Sequence, residues 1–192
     1  MTRHTKPQPE HPSAPRRGRT LSCISSAFLA FTLVAVTTPA ADAQTRTGAS
    51  GQPIPRFVSL KSDRSNVRLG PSDGHEVAWT YVKSGLPIEI TQEFENWRRV
   101  RDWEGKEGWL FHSLLSGRRT VLVTPWEQGT TTTTPLYAQP DVDSGVVAYL
   151  APKVLANVKS CAKGWCRIEG RDYDGWIDQT RLFGVYPDEV IE

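Results

Sequence analysis

Catalytic motifs are the first thing this sequence lacks. It contains no H-E-x-x-H, G-x-S-x-G, P-loop or Rossmann fingerprint. Histidine is scarce, with four residues in 192, and cysteine is scarcer, with three. No segment keeps the helical period of about 3.6 residues. These absences argue against the common enzyme classes and against a helical fold, and we expect no catalytic residue, no cofactor and no metal site.

The first 43 residues have the order of features that is typical of a secretory signal peptide. A basic region that ends at Arg19 precedes an uncharged stretch of apolar and small residues, 21–38, and an A-x-A pattern ends at Ala43. We predict cleavage between Ala43 and Gln44. The alternative is an uncleaved anchor, although the most apolar part, 28–36, is short for a bilayer span of about 20 residues.

Removal of residues 1–43 changes what the charge balance implies. That segment carries five basic and two acidic residues, so the remainder has 18 of the 23 basic and 19 of the 21 acidic residues. Such a nearly neutral chain gives no indication of nucleic-acid binding. We expect a periplasmic or secreted protein that has no stable membrane span after processing.

The two cysteines that remain, Cys161 and Cys166, are predicted to form a disulfide. An even count in an exported chain favours a bridge, and a zinc site is the weaker alternative because no histidine lies nearby. Cys161 would end one strand and Cys166 would begin the next, which brings the two Cα atoms close enough for the bond. The first half of the chain has Glu95 and Arg98 around the matching turn and no bridge.

The remaining chain contains an internal duplication. Residues 44–56 are rich in Gly, Pro, Ser and Thr and are predicted to be a flexible leader. Beyond them, 57–119 and 120–192 form two similar units of about 60 residues, called here the first and the second unit. Matching residues lie 67 to 69 positions apart: Trp97 and Trp165, Trp109 and Trp176, Pro71 and Pro140.

Each unit has the pattern of an all-β meander. Residues 86–91 alternate between apolar and polar, as a half-buried strand does, and 154–158 keep the same phase. Pro87 suits an edge or the start of a strand. Asn96 and Gly164 mark turns that precede a tryptophan. We therefore predict short strands joined by tight turns in both units.

Four motifs of the first unit resemble the bacterial SH3 (SH3b) domain family. They are VRLGPS at 67–72, GLPIEI at 85–90, W-x-x-V at 97–100 and GWL at 108–110. The stretch 57–119 is similar to SH3-like exported proteins of proteobacteria, a family without assigned activity. The second unit departs from the pattern, because LYAQP replaces the first motif. The resemblance implies two tandem small β-barrels, each with five to seven strands.

The resemblance also implies a role in the cell envelope, because SH3b modules bind cell-wall peptides or accompany wall hydrolases. We predict a non-catalytic module that recognises a peptide, a peptidoglycan fragment or an envelope protein. A purely structural scaffold is the alternative, and an enzyme with an unrecognised site is a further one. Aromatic and basic residues near the loops of the first unit are the candidate ligand-binding groove: Trp79, Tyr81, Trp97, Trp103, Arg99 and Arg101.

Overall fold

The computed structural model describes residues 46–127, 129 and 131–192. The predicted signal peptide and its cleavage site at Ala43 and Gln44 lie outside these residues. The regular structure of the described part is strand, apart from two short 3-10 turns, His112–Leu114 and Gln179–Arg181. Within the same part, none of the helices has the length and apolar character that crossing a membrane requires. The predicted all-β fold is confirmed.

The first unit is a single antiparallel sheet of seven strands. In chain order the strands are β3 (Arg56–Leu60), β4 (Ser65–Arg68), β5 (Val77–Tyr81), β6 (Pro87–Phe94), β7 (Trp97–Arg101), β8 (Glu107–Phe111) and β9 (Leu115–Ser116). Their order across the sheet is β5-β4-β8-β7-β6-β3-β9. The predicted meander corresponds to β6, β7 and β8, which pair with one another in sequence.

The second unit repeats this arrangement strand for strand. Its strands are β10 (Thr120–Val123), β11 (Thr134–Tyr137), β12 (Val146–Leu150), β13 (Leu155–Ala162), β14 (Trp165–Glu169), β15 (Asp174–Asp178) and β16 (Leu182–Phe183). The order across the sheet is β12-β11-β15-β14-β13-β10-β16. Because the order is the same, every strand of one unit has a counterpart in the other, and the predicted tandem fold is confirmed.

The alternating pattern of the sequence places one face of each long strand in a core. In β6, Ile88 and Ile90 are fully buried, and in β13 Ala156 is buried in the same phase. Pro87 is the first residue of β6, a position at which a proline destabilises a sheet little. Both long strands have an irregularity in register at the same place, between Ile90 and Gln92 and at its counterpart in β13. Such a bulge bends the strand and helps the sheet to curl.

The segment before the first unit differs from the predicted flexible leader. From Arg46 onward it forms a two-stranded hairpin of β1 (Arg46–Thr47) and β2 (Pro53–Ile54). Its loop is attached to the first unit, since the backbone N–H and the hydroxyl of Ser50 both donate to the Glu93 carboxylate at 2.7 Å. This attachment is not visible along the chain because Glu93 lies 43 residues from Ser50. We call this segment the N-terminal hairpin.

The predicted disulfide between Cys161 and Cys166 is confirmed. The two cysteines face each other across β13 and β14, with their Cα atoms 4.1 Å apart and their side chains buried. The bond closes a loop with a sequence separation of only five residues.

The two units share an interface that is partly aromatic and partly polar. Phe57 of β3 packs edge-on against Phe183 with 5.2 Å between ring centroids, and it also contacts Tyr186. The Thr120 hydroxyl donates to the Gly85 carbonyl at 2.6 Å. Leu122 of the second unit is buried within the core of the first. Each unit of about 60 residues is small for independent folding, so this shared burial supports both.

Candidate functional site

Three of the predicted aromatic residues form a connected cluster in the first unit. The Tyr81 ring lies between Trp79 and Trp103, with centroid distances of 6.1 and 6.3 Å. Trp79 and Tyr81 come from β5, and Trp103 comes from the loop after β7. Tyr81 is only 8% exposed, and its hydroxyl donates to Asp102 at 2.7 Å. We call these four residues the Tyr81 cluster.

The buried Asp102 carboxylate organises the loop between β7 and β8. Its second oxygen accepts the backbone N–H groups of Glu104 at 2.9 Å and Lys106 at 3.0 Å. Burial raises the pKa of Tyr81 well above its ordinary value, and the adjacent Asp102 carboxylate raises it further. The phenol therefore stays protonated and keeps donating. This network holds the loop and fixes the position of Trp103.

Trp97 lies in different surroundings from that cluster. Its ring packs edge-on against Phe111 with 5.4 Å between centroids, and the side chain is 7% exposed. Tyr81 and Trp97 therefore differ from the exposed aromatic residues that the groove prediction required, because each is covered by a neighbouring ring. Of the four predicted aromatics, Trp79 and Trp103 are the two that keep partial exposure. A ligand-binding role for them stays a prediction.

Arg99 and Arg101 share one face of β7, as the strand period predicts. Each is paired with a carboxylate: Arg99 contacts Glu107 at 2.7 Å, and Arg101 contacts Glu89 at 2.7 Å. Glu89 is buried and also accepts the Tyr186 hydroxyl at 2.9 Å, so Arg101 contributes to the interface between the units. A binding role for either arginine stays a prediction.

A groove with an aromatic wall lies in the second unit. It encloses about 230 Å³. Trp165, at the start of β14, and Tyr137, at the end of β11, form an aromatic wall with 5.6 Å between their ring centroids. Asp178 and Glu127 place two acidic groups on the lining, and Arg181 places one basic group there. We call it the Trp165 groove. The lining comprises Glu127, Thr132, Thr133, Thr134, Pro135, Tyr137, Val142, Trp165, Ile177, Asp178 and Arg181.

One replacement between the units contributes to the exposure of Trp165 in this groove. Trp97 lies opposite Phe111 in the first unit, and Trp165 lies opposite Asp178 at the same position of the second. Phe111 covers the Trp97 ring, whereas a carboxylate cannot cover an indole in this way. Trp165 is consequently more exposed than Trp97.

Two charged groups of the Trp165 groove differ in how they are held: Asp178 is fixed by hydrogen bonds, whereas Arg181 is partly exposed. One Asp178 oxygen accepts the N–H of Thr180 at 2.8 Å and its hydroxyl at 2.7 Å. Arg181 has a long contact of 3.5 Å with Glu127, and half of its side chain is exposed. A ligand therefore meets an oriented carboxylate and a half-exposed guanidinium, which has only a long contact with Glu127, beside two aromatic rings.

The sequence reasoning missed this groove because it favoured the unit that matches the SH3b motifs better. The available signal was the exchange of Phe111 for Asp178 at matching positions, with Tyr137 in place of Arg68. Recognising it requires the pairing between strands, which is not visible along the chain. Among the described residues, no three His, Cys, Asp or Glu side chains are grouped as metal ligands would be.

Comparison with known proteins finds one family. A family model described as "Bacterial SH3 domain" matches residues 61–117 and 131–184. No curated protein matches the chain.

Several solved structures are similar to the chain. NlpC2 from Trichomonas vaginalis is 14% identical, with 67% of this chain and 48% of that chain covered and a TM-score of 0.31. NlpC1 from the same organism is 15% identical, with 72% and 48% covered and a TM-score of 0.31. An NlpC/P60 family protein from Bacillus cereus is 11% identical, with 67% and 56% covered and a TM-score of 0.30. The chain spans about half the length of these proteins. TM-scores this low do not support any statement about function.

Proposed function

The chain belongs to the bacterial SH3 domain family, and we propose that it is a non-catalytic binding module of the cell envelope that recognises a peptide of the cell wall. The observation that carries this proposal is the Trp165 groove. Its two aromatic rings offer rigid contact area at low entropic cost. Asp178 and Arg181 offer one partner for an amine and one for a carboxylate, which are the charged groups of a short peptide.

The chemistry of the remaining residues supports a binding role rather than a catalytic one. Cys161 and Cys166 are joined in a disulfide, so neither supplies a thiolate nucleophile. A disulfide is also consistent with a periplasmic or secreted location, where such bonds persist. The predicted signal peptide points the same way, and we propose that location for the protein.

The test is binding to purified cell-wall sacculi, measured by co-sedimentation of the wild-type protein and two tryptophan variants. Trp165→Ala removes half of the aromatic wall, and we expect affinity to fall about tenfold or more, as loss of a central aromatic anchor does. Trp126→Ala is the matched control because Trp126 is 52% exposed and lies outside the groove lining. We expect it to bind as the wild type does.

A second pair of variants separates lost contact from lost fold. Asp178→Asn keeps an acceptor for Thr180, and Arg181→Gln changes an exposed side chain, so both proteins should fold normally. We expect weaker binding from each at low salt. Normal binding by Trp165→Ala, together with loss of binding by Trp79→Ala or Trp103→Ala, would place the ligand on the first unit instead.

A further inference from the structure

The two units close the same end of their barrels by different means. In the first unit, Glu93 of β6 faces Arg98 of β7, and in the second Cys161 of β13 faces Cys166 of β14 at the matching positions. The following turn also matches, since the His112 N–H donates to Asn96 and the Gln179 N–H donates to Gly164, each at 2.9 Å. His112 and Gln179 are therefore equivalent residues.

In the second unit this end is covered by residues 185–192, which we call the C-terminal segment. The Gln179 side-chain amide donates to the backbone carbonyls of Tyr186 at 2.7 Å and Glu189 at 3.0 Å. Cys161 and Ile191 exchange two backbone hydrogen bonds, of 2.8 and 2.9 Å. An extended piece of chain is thus held by one amide side chain and one strand edge.

Arg119, the residue directly before the second unit, binds a carboxylate of the same segment. Arg119 donates to both oxygens of Glu189, at 2.7 and 2.9 Å. Arg119 precedes β10, and its carbonyl accepts from Val158 of β13. In the first unit Arg56 pairs with Ile90 of β6, the residue that matches Val158. Arg56 and Arg119 are therefore equivalent as well.

In the first unit the same end of the barrel holds an open cavity of about 290 Å³. Its lining includes Arg56 and His112, the equivalents of the two residues that hold the C-terminal segment, together with Arg98. The chain continues from Gly117 into the second unit, and within residues 46–127, 129 and 131–192 no segment fills this space as residues 185–192 do in the second. The N-terminal hairpin supplies one wall through Ser50 and Gln52.

The charges around this cavity leave one positive charge in excess. In the part of the chain that the structure describes, Glu93 is the one carboxylate paired with these two arginines, 2.8 Å from Arg56 and 3.3 Å from Arg98. In the second unit Arg119 is matched by Glu189, and the counterparts of Glu93 and Arg98 are uncharged cysteines. A ligand that carries one carboxylate would balance the first unit in the same way.

We propose that the first-unit cavity binds an extended peptide that carries a carboxylate. His112 donates to a backbone carbonyl of the peptide, as Gln179 does to the C-terminal segment. The carboxylate lies against Arg98 and Arg56, as Glu189 lies against Arg119. This site is separate from the Trp165 groove, and binding at one site does not depend on binding at the other.

The probe is a synthetic peptide with the sequence of residues 186–192, the segment that fills the equivalent space in the second unit. It is titrated into the purified 15N-labelled protein and followed by NMR chemical shifts. We expect saturable shifts at His112, Arg98 and Ser116. His112→Ala should weaken binding about fivefold, the effect of one lost hydrogen bond, and His112→Gln should restore it. A peptide with glutamine at the Glu189 position should bind less tightly than the original and show a weaker dependence on salt.

Urea denaturation of each variant shows whether it is folded. Because His112 is exposed, we expect the free energy of unfolding of the His112 variants to equal that of the wild type. Shifts confined to the second unit would mean that the peptide displaces the C-terminal segment there, and they would overturn the proposal. So would equal affinity of wild type and His112→Ala, or no saturable shift at all. Loss of sacculus binding in Trp165→Ala leaves this titration unchanged, so the two proposals fail separately.

Discussion

Replacing Glu93 with glutamine should destabilise the first unit in a pH-dependent way. The Glu93 side chain is only 1% exposed and accepts two hydrogen bonds from Ser50 and one from Arg56, with Arg98 adjacent. Burial alone would raise its pKa, but the Ser50 and Arg56 hydrogen bonds and the Arg98 charge outweigh burial and lower the pKa to about 2. Glutamine keeps the shape and loses the charge.

The size of the effect follows from the pKa. A fall from 4.5 to about 2 corresponds to about 3 kcal/mol of preference for the ionised form in the folded state. Both arginines are partly exposed, at 19% and 11%, and water screens such pairs, so we expect a loss of about 2 kcal/mol at neutral pH. Because the folded-state pKa lies below the unfolded one, this contribution is complete above about pH 5 and is lost as the pH falls towards 2.

The assay is urea denaturation followed by tryptophan fluorescence at pH 7 and pH 3. The gap between wild type and Glu93→Gln should shrink by about half or more at pH 3, because the wild-type carboxylate is by then losing its advantage. Glu95→Gln is the matched control, since Glu95 is exposed and contributes only its backbone carbonyl to Arg98. A penalty that is the same at both pH values, or a Glu93→Gln protein as stable as Glu95→Gln, would refute the reasoning.

Three further predictions concern stability and are measured by the same denaturation assay. Reduction of the disulfide, or its replacement in Cys161→Ser/Cys166→Ser, should cost about 2 kcal/mol, the value expected for so short a loop, and a much larger loss would contradict the loop-entropy account. Asp102→Ala should cost about 2–4 kcal/mol because it leaves the Tyr81 hydroxyl and two loop N–H groups without their acceptor, and Asp102→Asn should cost less. Tyr186→Phe should cost about 1 kcal/mol by removing the hydrogen bond to Glu89, with Arg101 still in place, and an unchanged midpoint would show that this bond adds nothing to the interface.

Local sequence patterns predicted the fold well because they carry the information that makes strands. Alternation at 86–91 predicted β6 and its buried face, and the turn residues Asn96 and Gly164 predicted where β7 and β14 begin. Repetition of these signals at a nearly constant spacing predicted the two units. Each signal lies within a few residues of the feature that it predicts, so no long-range information was needed.

The site was harder to predict because it depends on which residues face one another across strands. The sequence indicated no bridge near Glu95 and Arg98 in the first unit, and the positions that match the two cysteines hold Glu93 and Arg98, which form an ion pair. The Trp165 groove likewise depends on Asp178 lying opposite Trp165. Pairing of this kind is set by the register of the sheet, which the irregularities in β6 and β13 shift by a residue.

Both units face the same structural problem, and their different solutions determine where each can bind a ligand. The long strands β6 and β13 extend beyond the strands that pair with them on one side, and an exposed strand edge invites unwanted pairing. The second unit covers its edge with two backbone hydrogen bonds between Cys161 and Ile191. The first covers its edge with the N-terminal hairpin, held by the Glu93 carboxylate. The N-terminal hairpin is held by side-chain contacts and leaves space beside the strand, whereas the C-terminal segment pairs through its backbone and fills the equivalent space. The open cavity therefore lies in the first unit, and the Trp165 groove of the second unit lies on another face.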